Sequence, residues 1–100
     1  MQITDQYVAK LSEYFKPEKP LTREQYGEIL DHFSEHERSV LLLHICEGRS
    51  LTEISAIRDS NVMRIQQIFG RAERMMKHRI QNPGKKYRAR DFLDKPEDGK

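Results

Sequence analysis

The chain has 100 residues, 36% hydrophobic and 34% charged, with a net charge of +2 and one cysteine, Cys46. That length suits one domain with a modest core, and no apolar run approaches the roughly 20 residues that span a bilayer. A lone cysteine excludes an internal disulfide and fits a reducing, cytoplasmic setting; the opening MQITDQYVAK lacks a basic-then-apolar leader, so no signal peptide is expected.

Small as the net charge is, it is unevenly spread. Residues 1–57 carry 6 Lys+Arg against 10 Asp+Glu, a balance of −4. Residues 58–90 carry 10 against 2, or +8, and residues 91–100 return to −2. A basic block of this kind is what a polyanion-binding surface requires; the plain alternative is a solvated basic face.

Taken in order, residues 4–15 read as an amphipathic helix. Thr4 can cap its start, and Tyr7, Val8, Leu11, Tyr14 and Phe15 recur at helical spacing. Pro17 and Pro20 deny helix to the residues before them, so KPEKP (16–20) is a linker. The first helix then either packs on the core or pairs with a second subunit. Thr22 and Gln25 form a capping box, Leu21 can staple against Tyr26, and Tyr26, Ile29, Leu30 and Phe33 form a buried stripe. Ser34 with Glu37 starts a new helix over 35–47 at an angle to the last. Its VLLLHIC segment (40–46) is apolar around most of its circumference, which predicts a central buried helix ended by Gly48.

A third box, Ser50 with Glu53, opens a short helix over 51–58 with Leu51, Ile54 and Ile57 facing inward. RDSN (58–61) has turn chemistry, and Asn61 or Ser60 can cap the next helix. That helix runs to about Ile80 on an apolar stripe of Ile65, Ile68, Ala72, Met75 and Met76, until NPG (82–84) stops it. KKYRARDFL (85–93) suits a short strand or extended arm, and DKPEDGK (94–100) an acidic disordered tail. The expectation is an all-α bundle of about five helices. An N-terminal helix and linker occupy 1–20, a helix-turn-helix domain 21–82, and a basic arm with an acidic tail 83–100, the arm being a candidate dimerisation segment.

Residues 51–80 carry the chemistry. A helix-turn-helix needs a bracing helix, a tight turn, and polar side chains on the early turns of the second helix, where base edges lie. Asn61, Val62, Arg64, Gln66, Gln67 and Arg71 stand there. Arginine matches guanine and glutamine matches adenine by paired hydrogen bonds in the major groove, and an apolar group such as Val62 suits a thymine methyl. Ser60, Arg74, Lys77, Arg79, Lys85, Lys86, Arg88 and Arg90 are the candidates for phosphate contacts, which give affinity and salt dependence but little sequence information. The competing structural reading is a generic helical hairpin with an exposed polar face.

From Ser50 to Met76 the segment resembles, without gaps, the helix-turn-helix of region 4 of bacterial primary sigma factors. The best-matching run is Arg64, Ile65, Gln67, Ile68, Arg71 and Ala72. Arg58 and Ser60 depart from that pattern, standing where such motifs place apolar turn residues, and no other sigma region accompanies the motif. Over 21–80 the chain is also similar, with small gaps, to TrfB-type (KorA-like) plasmid repressors through Leu21, Thr22, Gln25 and Tyr26. In those repressors a Gln and an Arg one turn apart, matching Gln67 and Arg71, serve in base recognition. A similarity to PapB-type fimbrial regulators lies in size, the buried central helix, and Phe69, Gly70 and Arg71. These resemblances imply an autonomous bacterial transcription factor, dimeric or oligomeric.

Other constellations are weaker. His32, His36, His44 and Cys46 include ligand types for zinc, but His32 and His36 straddle the break at Ser34 and no fourth ligand has suitable spacing. Cys46 reads as a small core residue rather than a redox sensor, and Met63, Met75 and Met76 as packing residues. No nucleophile–base pair or glycine-rich phosphate loop is present, so neither an enzyme nor a cofactor is expected. The reading is a sequence-specific, double-stranded-DNA-binding regulator, a repressor acting as a homodimer on a palindromic operator. Helix 4–15 and segment 85–93 are the candidate dimer contacts; the latter is favoured because KorA-like proteins dimerise beyond their motif. The alternatives are a sigma-region-4-like module acting on RNA polymerase through exposed apolar residues such as Tyr7, Phe15 or Phe92, and an RNA-binding protein.

Overall fold

A computed structural model describes residues 3–81. Among them the chain is all-helical: α1 Asp5–Phe15, α2 Arg23–Asp31, α3 Glu35–Ile45, α4 Leu51–Ile57 and α5 Val62–Gln81. The arm, its strand alternative, the acidic tail and the dimer candidate at 85–93 lie outside the described residues. None of the described helices is long and apolar enough to cross a membrane.

Local chemistry sets the helix starts. Thr22, Ser34 and Ser50 each accept from the backbone N–H three residues on, while Gln25, Glu37 and Glu53 each reach back to the N-cap N–H. Thr4 caps α1 by accepting from the Tyr7 N–H at 3.2 Å. Each such cap satisfies donors that the helix itself leaves open, and contributes about 1 kcal/mol. Gly48, at φ 72°, takes the left-handed conformation after α3; nothing lies within 4 Å of an added Cβ, so backbone conformation rather than space favours glycine there.

Packing organises these helices around α3, which touches α1, α4 and α5. Its Val40, Leu41 and Leu42 are buried with Ile54 of α4 and Ile65, Phe69, Ala72 and Met76 of α5. Leu21, Tyr26, Ile29, Leu30 and Phe33 join the same core from the α2 side. The first helix is part of the bundle: Leu11 is fully buried and Tyr7, Val8 and Phe15 pack against the core, so Tyr7 and Phe15 are not the exposed apolar residues expected of a docking module. Burying a leucine of this kind is worth about 1.5–3 kcal/mol.

Polar contacts add to that attachment of α1. The Ser12 and Tyr26 hydroxyls are hydrogen-bonded at 3.0 Å, Tyr14 Oη donates to Glu73 Oε2 of α5 at 2.6 Å, and Tyr7 Oη donates to Glu47 after α3. Hydrogen bonding to the Glu47 carboxylate, then burial, pushes the Tyr7 phenol up to about 12. Burial and then the Glu73 contact do the same for Tyr14.

Two inward assignments are corrected. Ile57 is 54% exposed: α4 ends there, and its buried side falls on Ile54 and Ser55. Met63 is 67% exposed, whereas Met75 and Met76 are buried; it lies on the first turn of α5, across the helix from the Ile65 stripe.

The turn between α4 and α5 is tight and well satisfied. Asp59 adopts φ 54°. Its N–H donates to the Ala56 carbonyl at 3.2 Å and the Ser60 N–H to the Ser55 carbonyl at 2.7 Å, the paired bonds of a Schellman motif. Asn61, not Ser60, is the N-cap, its Oδ1 accepting from the Arg64 N–H at 2.8 Å. Asp59 therefore occupies a position that suits glycine. Asp59→Gly is expected to raise stability by about 0.5–1 kcal/mol, net of the greater freedom of unfolded glycine, as a higher urea midpoint at unchanged slope. The tyrosines supply a pH test. Their folded pKa values lie above the ordinary 10, so their contribution is present below pH 10 and is lost as pH rises towards 12. Ultraviolet tyrosinate titration of Glu47→Gln should show one phenol moving back towards 10, and an unchanged curve would remove the Tyr7–Glu47 assignment.

Candidate nucleic-acid interface

The buried stripe of α5 is formed by Ile65, Phe69, Ala72, Met75, Met76 and Ile80, so the opposite side of this 20-residue helix faces solvent. At 3.6 residues per turn the exposed side centres on Met63, Gln67, Gly70 and Arg74. All six expected base-reading residues, Asn61, Val62, Arg64, Gln66, Gln67 and Arg71, are exposed, but they do not form one cluster. Arg64, Gln67 and Arg71 share the flank beside the start of α3, where they line a groove with Ser34, His36, Glu37 and Ile68. Val62 and Gln66 lie on the other flank, and Asn61 has its side-chain carbonyl committed to the cap. A helix about 10 Å across in a groove about 12 Å wide can present both flanks.

Gly70 has only the Arg74 Nη1 within 4 Å of an added Cβ, at 3.7 Å. It leaves the middle of the outward face low, where the helix backbone can be approached closely.

The expected phosphate contacts divide. Ser60, Arg74 and Lys77 are exposed. Arg79 is corrected: it is only 7% exposed and lies on the same side of α5 as Met75, Met76 and Ile80, because its position falls within the apolar stripe. Lys85, Lys86, Arg88 and Arg90 lie outside the described residues. Lys77 Nζ is 3.9 Å from Glu73 Oε2, the carboxylate oxygen that also accepts from Tyr14.

Two contacts at the interface have no local signal in the sequence. Arg58 reaches from the turn to the start of α3. Its Nη2 donates to Glu35 Oε1 at 3.1 Å and to His36 Nδ1 at 2.8 Å, and its Nη1 to Ser39 Oγ at 3.2 Å. The hydrogen bond from Arg58, then its charge, holds the Glu35 carboxyl below the usual range. Arg71 Nε lies 3.6 Å from Glu37 Oε2. The two carboxylates at the start of α3, nearest the outward helix, are thus each matched by an arginine, which limits the repulsion they would exert on a polyanion. Charge patterning could have nominated Glu35 and Glu37 as partners for the basic block, but not chosen their arginines, 23 and 34 residues away.

Three of the four residues considered for metal binding, His36, His44 and Cys46, have structural partners. His36 accepts from Arg58, and His44 Nδ1 donates to the Arg49 carbonyl at 2.7 Å while its ring stands edge-on to Phe69, centroids 4.7 Å apart. Cys46 is half-buried, its thiol pushed up to about 11 chiefly by burial, and Sγ lies 3.9 Å from the Tyr7 carbonyl. Among the described residues no group of three or more His, Cys, Asp or Glu is placed to hold a metal ion. Compared with protein-family models, curated proteins and solved structures, the chain matches none.

Proposed function

We propose that the chain is a sequence-specific DNA-binding regulator that lays α5 in the major groove, and that it acts as a homodimeric repressor. The observation that carries this reading is the pairing of a hydrogen-bonded turn with a presented face. Helix α4 packs on α5 with Ile54 in the shared core, a four-residue turn closed by the Asp59 and Ser60 N–H groups joins them, and α5 exposes Arg64, Gln67 and Arg71 together on one flank. Such a face suits major-groove readout, with Gln67 on adenine and the arginines on guanine. Arg74, Lys77 and Ser60 suit phosphates on either side. A dimer follows from specificity: one helix reads a few base pairs, whereas two about one DNA turn apart read a palindrome.

A second reading is favoured by the exposed apolar residues at the joint. Ile57, Val62 and Met63 stand out from both sides of the turn, which suits a module that docks on RNA polymerase or another protein. The basic face would also serve an RNA binder.

Selection from a random duplex pool separates these readings. A palindromic consensus is the expected result, and failure to enrich any sequence would favour the protein- or RNA-binding alternatives. Gln67→Ala should weaken the selected site by roughly 1–3 kcal/mol more than random DNA; equal losses on both would remove Gln67 as a base reader. Affinity should also fall steeply as salt rises, because phosphate contacts release counterions. Binding that stays flat from low to moderate salt would point to the protein-docking module.

A further inference from the structure

We infer that Glu37 is a positioning residue that aims Arg71 at a guanine, so that each half-site carries a G·C pair opposite Arg71. The inference rests on the DNA-reading proposal above and gives it one specified base.

The geometry begins with the cap of α3. Glu37 Oε1 accepts from both the backbone N–H and the hydroxyl of Ser34, each at 3.1 Å, so helix capping fixes the orientation of the carboxylate. Its other oxygen, Oε2, is then directed at α5 and lies 3.6 Å from Arg71 Nε. The Glu37 side chain is 19% exposed and that of Arg71 51%. An oriented, largely covered anion therefore lies beside the inner edge of a half-exposed cation, at ion-pair distance.

Which edge is held matters. A guanidinium has five N–H groups, one on Nε and four on the two Nη atoms. Contact through Nε leaves the Nη end to make paired hydrogen bonds, and guanine presents the matching acceptors, N7 and O6, in the major groove. A long arginine on an open helix face loses rotamer freedom when it binds; one already braced by a carboxylate loses less. The carboxylate also opposes a phosphate in the same place, because it would repel it. Gln67 lines the same groove, so Arg71 and Gln67 would read neighbouring bases.

The chain itself shows how to test this without losing the cap. In α2 the position equivalent to Glu37 is Gln25, whose Oε1 accepts from the Thr22 N–H at 2.8 Å in a complete capping box. Glu37→Gln should therefore keep α3 capped while removing the charge that braces Arg71. Arg71→Lys keeps the positive charge and removes the planar fork. Both variants would be checked for unchanged helicity and thermal midpoint, then compared with the wild-type chain in selection from a random duplex pool and in titrations of the selected site and of random DNA.

The expected result is a wild-type consensus with a guanine at one position of each half-site, and loss of the preference at that position alone in both variants. Glu37→Gln should bind the selected site about 3- to 10-fold more weakly while binding random DNA as well as or better than wild type, since it removes a negative charge. A merely structural or repulsive role for Glu37 would move both affinities in the same direction, and that result would overturn the inference. So would a consensus that survives Glu37→Gln unchanged, or one in which Arg71→Lys alters no guanine. In each of these cases the DNA-reading proposal stands. A wild-type chain that enriches no sequence overturns that proposal, and the inference with it.

Discussion

Each joint from α2 onward is tied to α3 by a polar side chain, which adds direction to the apolar packing that holds α5 on α3 and α4. Arg38 on α3 donates to the Leu30 and Phe33 carbonyls at the end of α2. His44 on α3 donates to the Arg49 carbonyl in the link to α4. Arg58, between α4 and α5, returns to Glu35, His36 and Ser39 at the start of α3. Hydrophobic burial drives the helices together but is non-directional. Hydrogen bonds from planar or short side chains add the angular definition that a packed apolar stripe leaves loose. In a chain with a modest core, anchoring all three joints to the central helix lets the bundle act as one body.

Arg58 also bears on how this turn closes with polar residues in it. The turn closes through backbone bonds from Asp59 and Ser60 to Ala56 and Ser55, which need no apolar side chain. Arg58, its side chain largely covered, satisfies its guanidinium on Glu35, His36 and Ser39 of α3. A turn closed by these bonds suits the proposed role, because base readout tolerates little error in the position of the reading helix.

The outward face of α5 departs from an ordinary solvated helix at its glycine. It has a glycine at its middle, an exposed methionine on its first turn, and two arginines and a glutamine on one flank. Of these only the glycine departs from what helix stability favours, since methionine, glutamine and arginine are all strong helix formers. Acidic residues at the start of α3 border this face without dominating it, since Glu35 and Glu37 are each engaged by an arginine.

Much of the fold was legible in the chain because its signals are local. A capping box spans four residues and an apolar stripe a few turns, so Thr22/Gln25, Ser34/Glu37, Ser50/Glu53 and the Ile65–Met76 periodicity locate helix starts and the inward face of α5 without tertiary information. The same period placed the base-reading candidates on the outward side of α5, but it was the packing against α3 that grouped Arg64, Gln67 and Arg71 on one flank. Only the tertiary structure decided the rest. It joined α1 to the core through Leu11 and the two tyrosine–carboxylate contacts, buried Arg79, exposed Ile57 and Met63, and chose Glu37 for Arg71 and Glu35 for Arg58. Those outcomes depend on which surfaces meet after the helices pack, and a charged side chain carries no local mark of a partner 23 or 34 residues away.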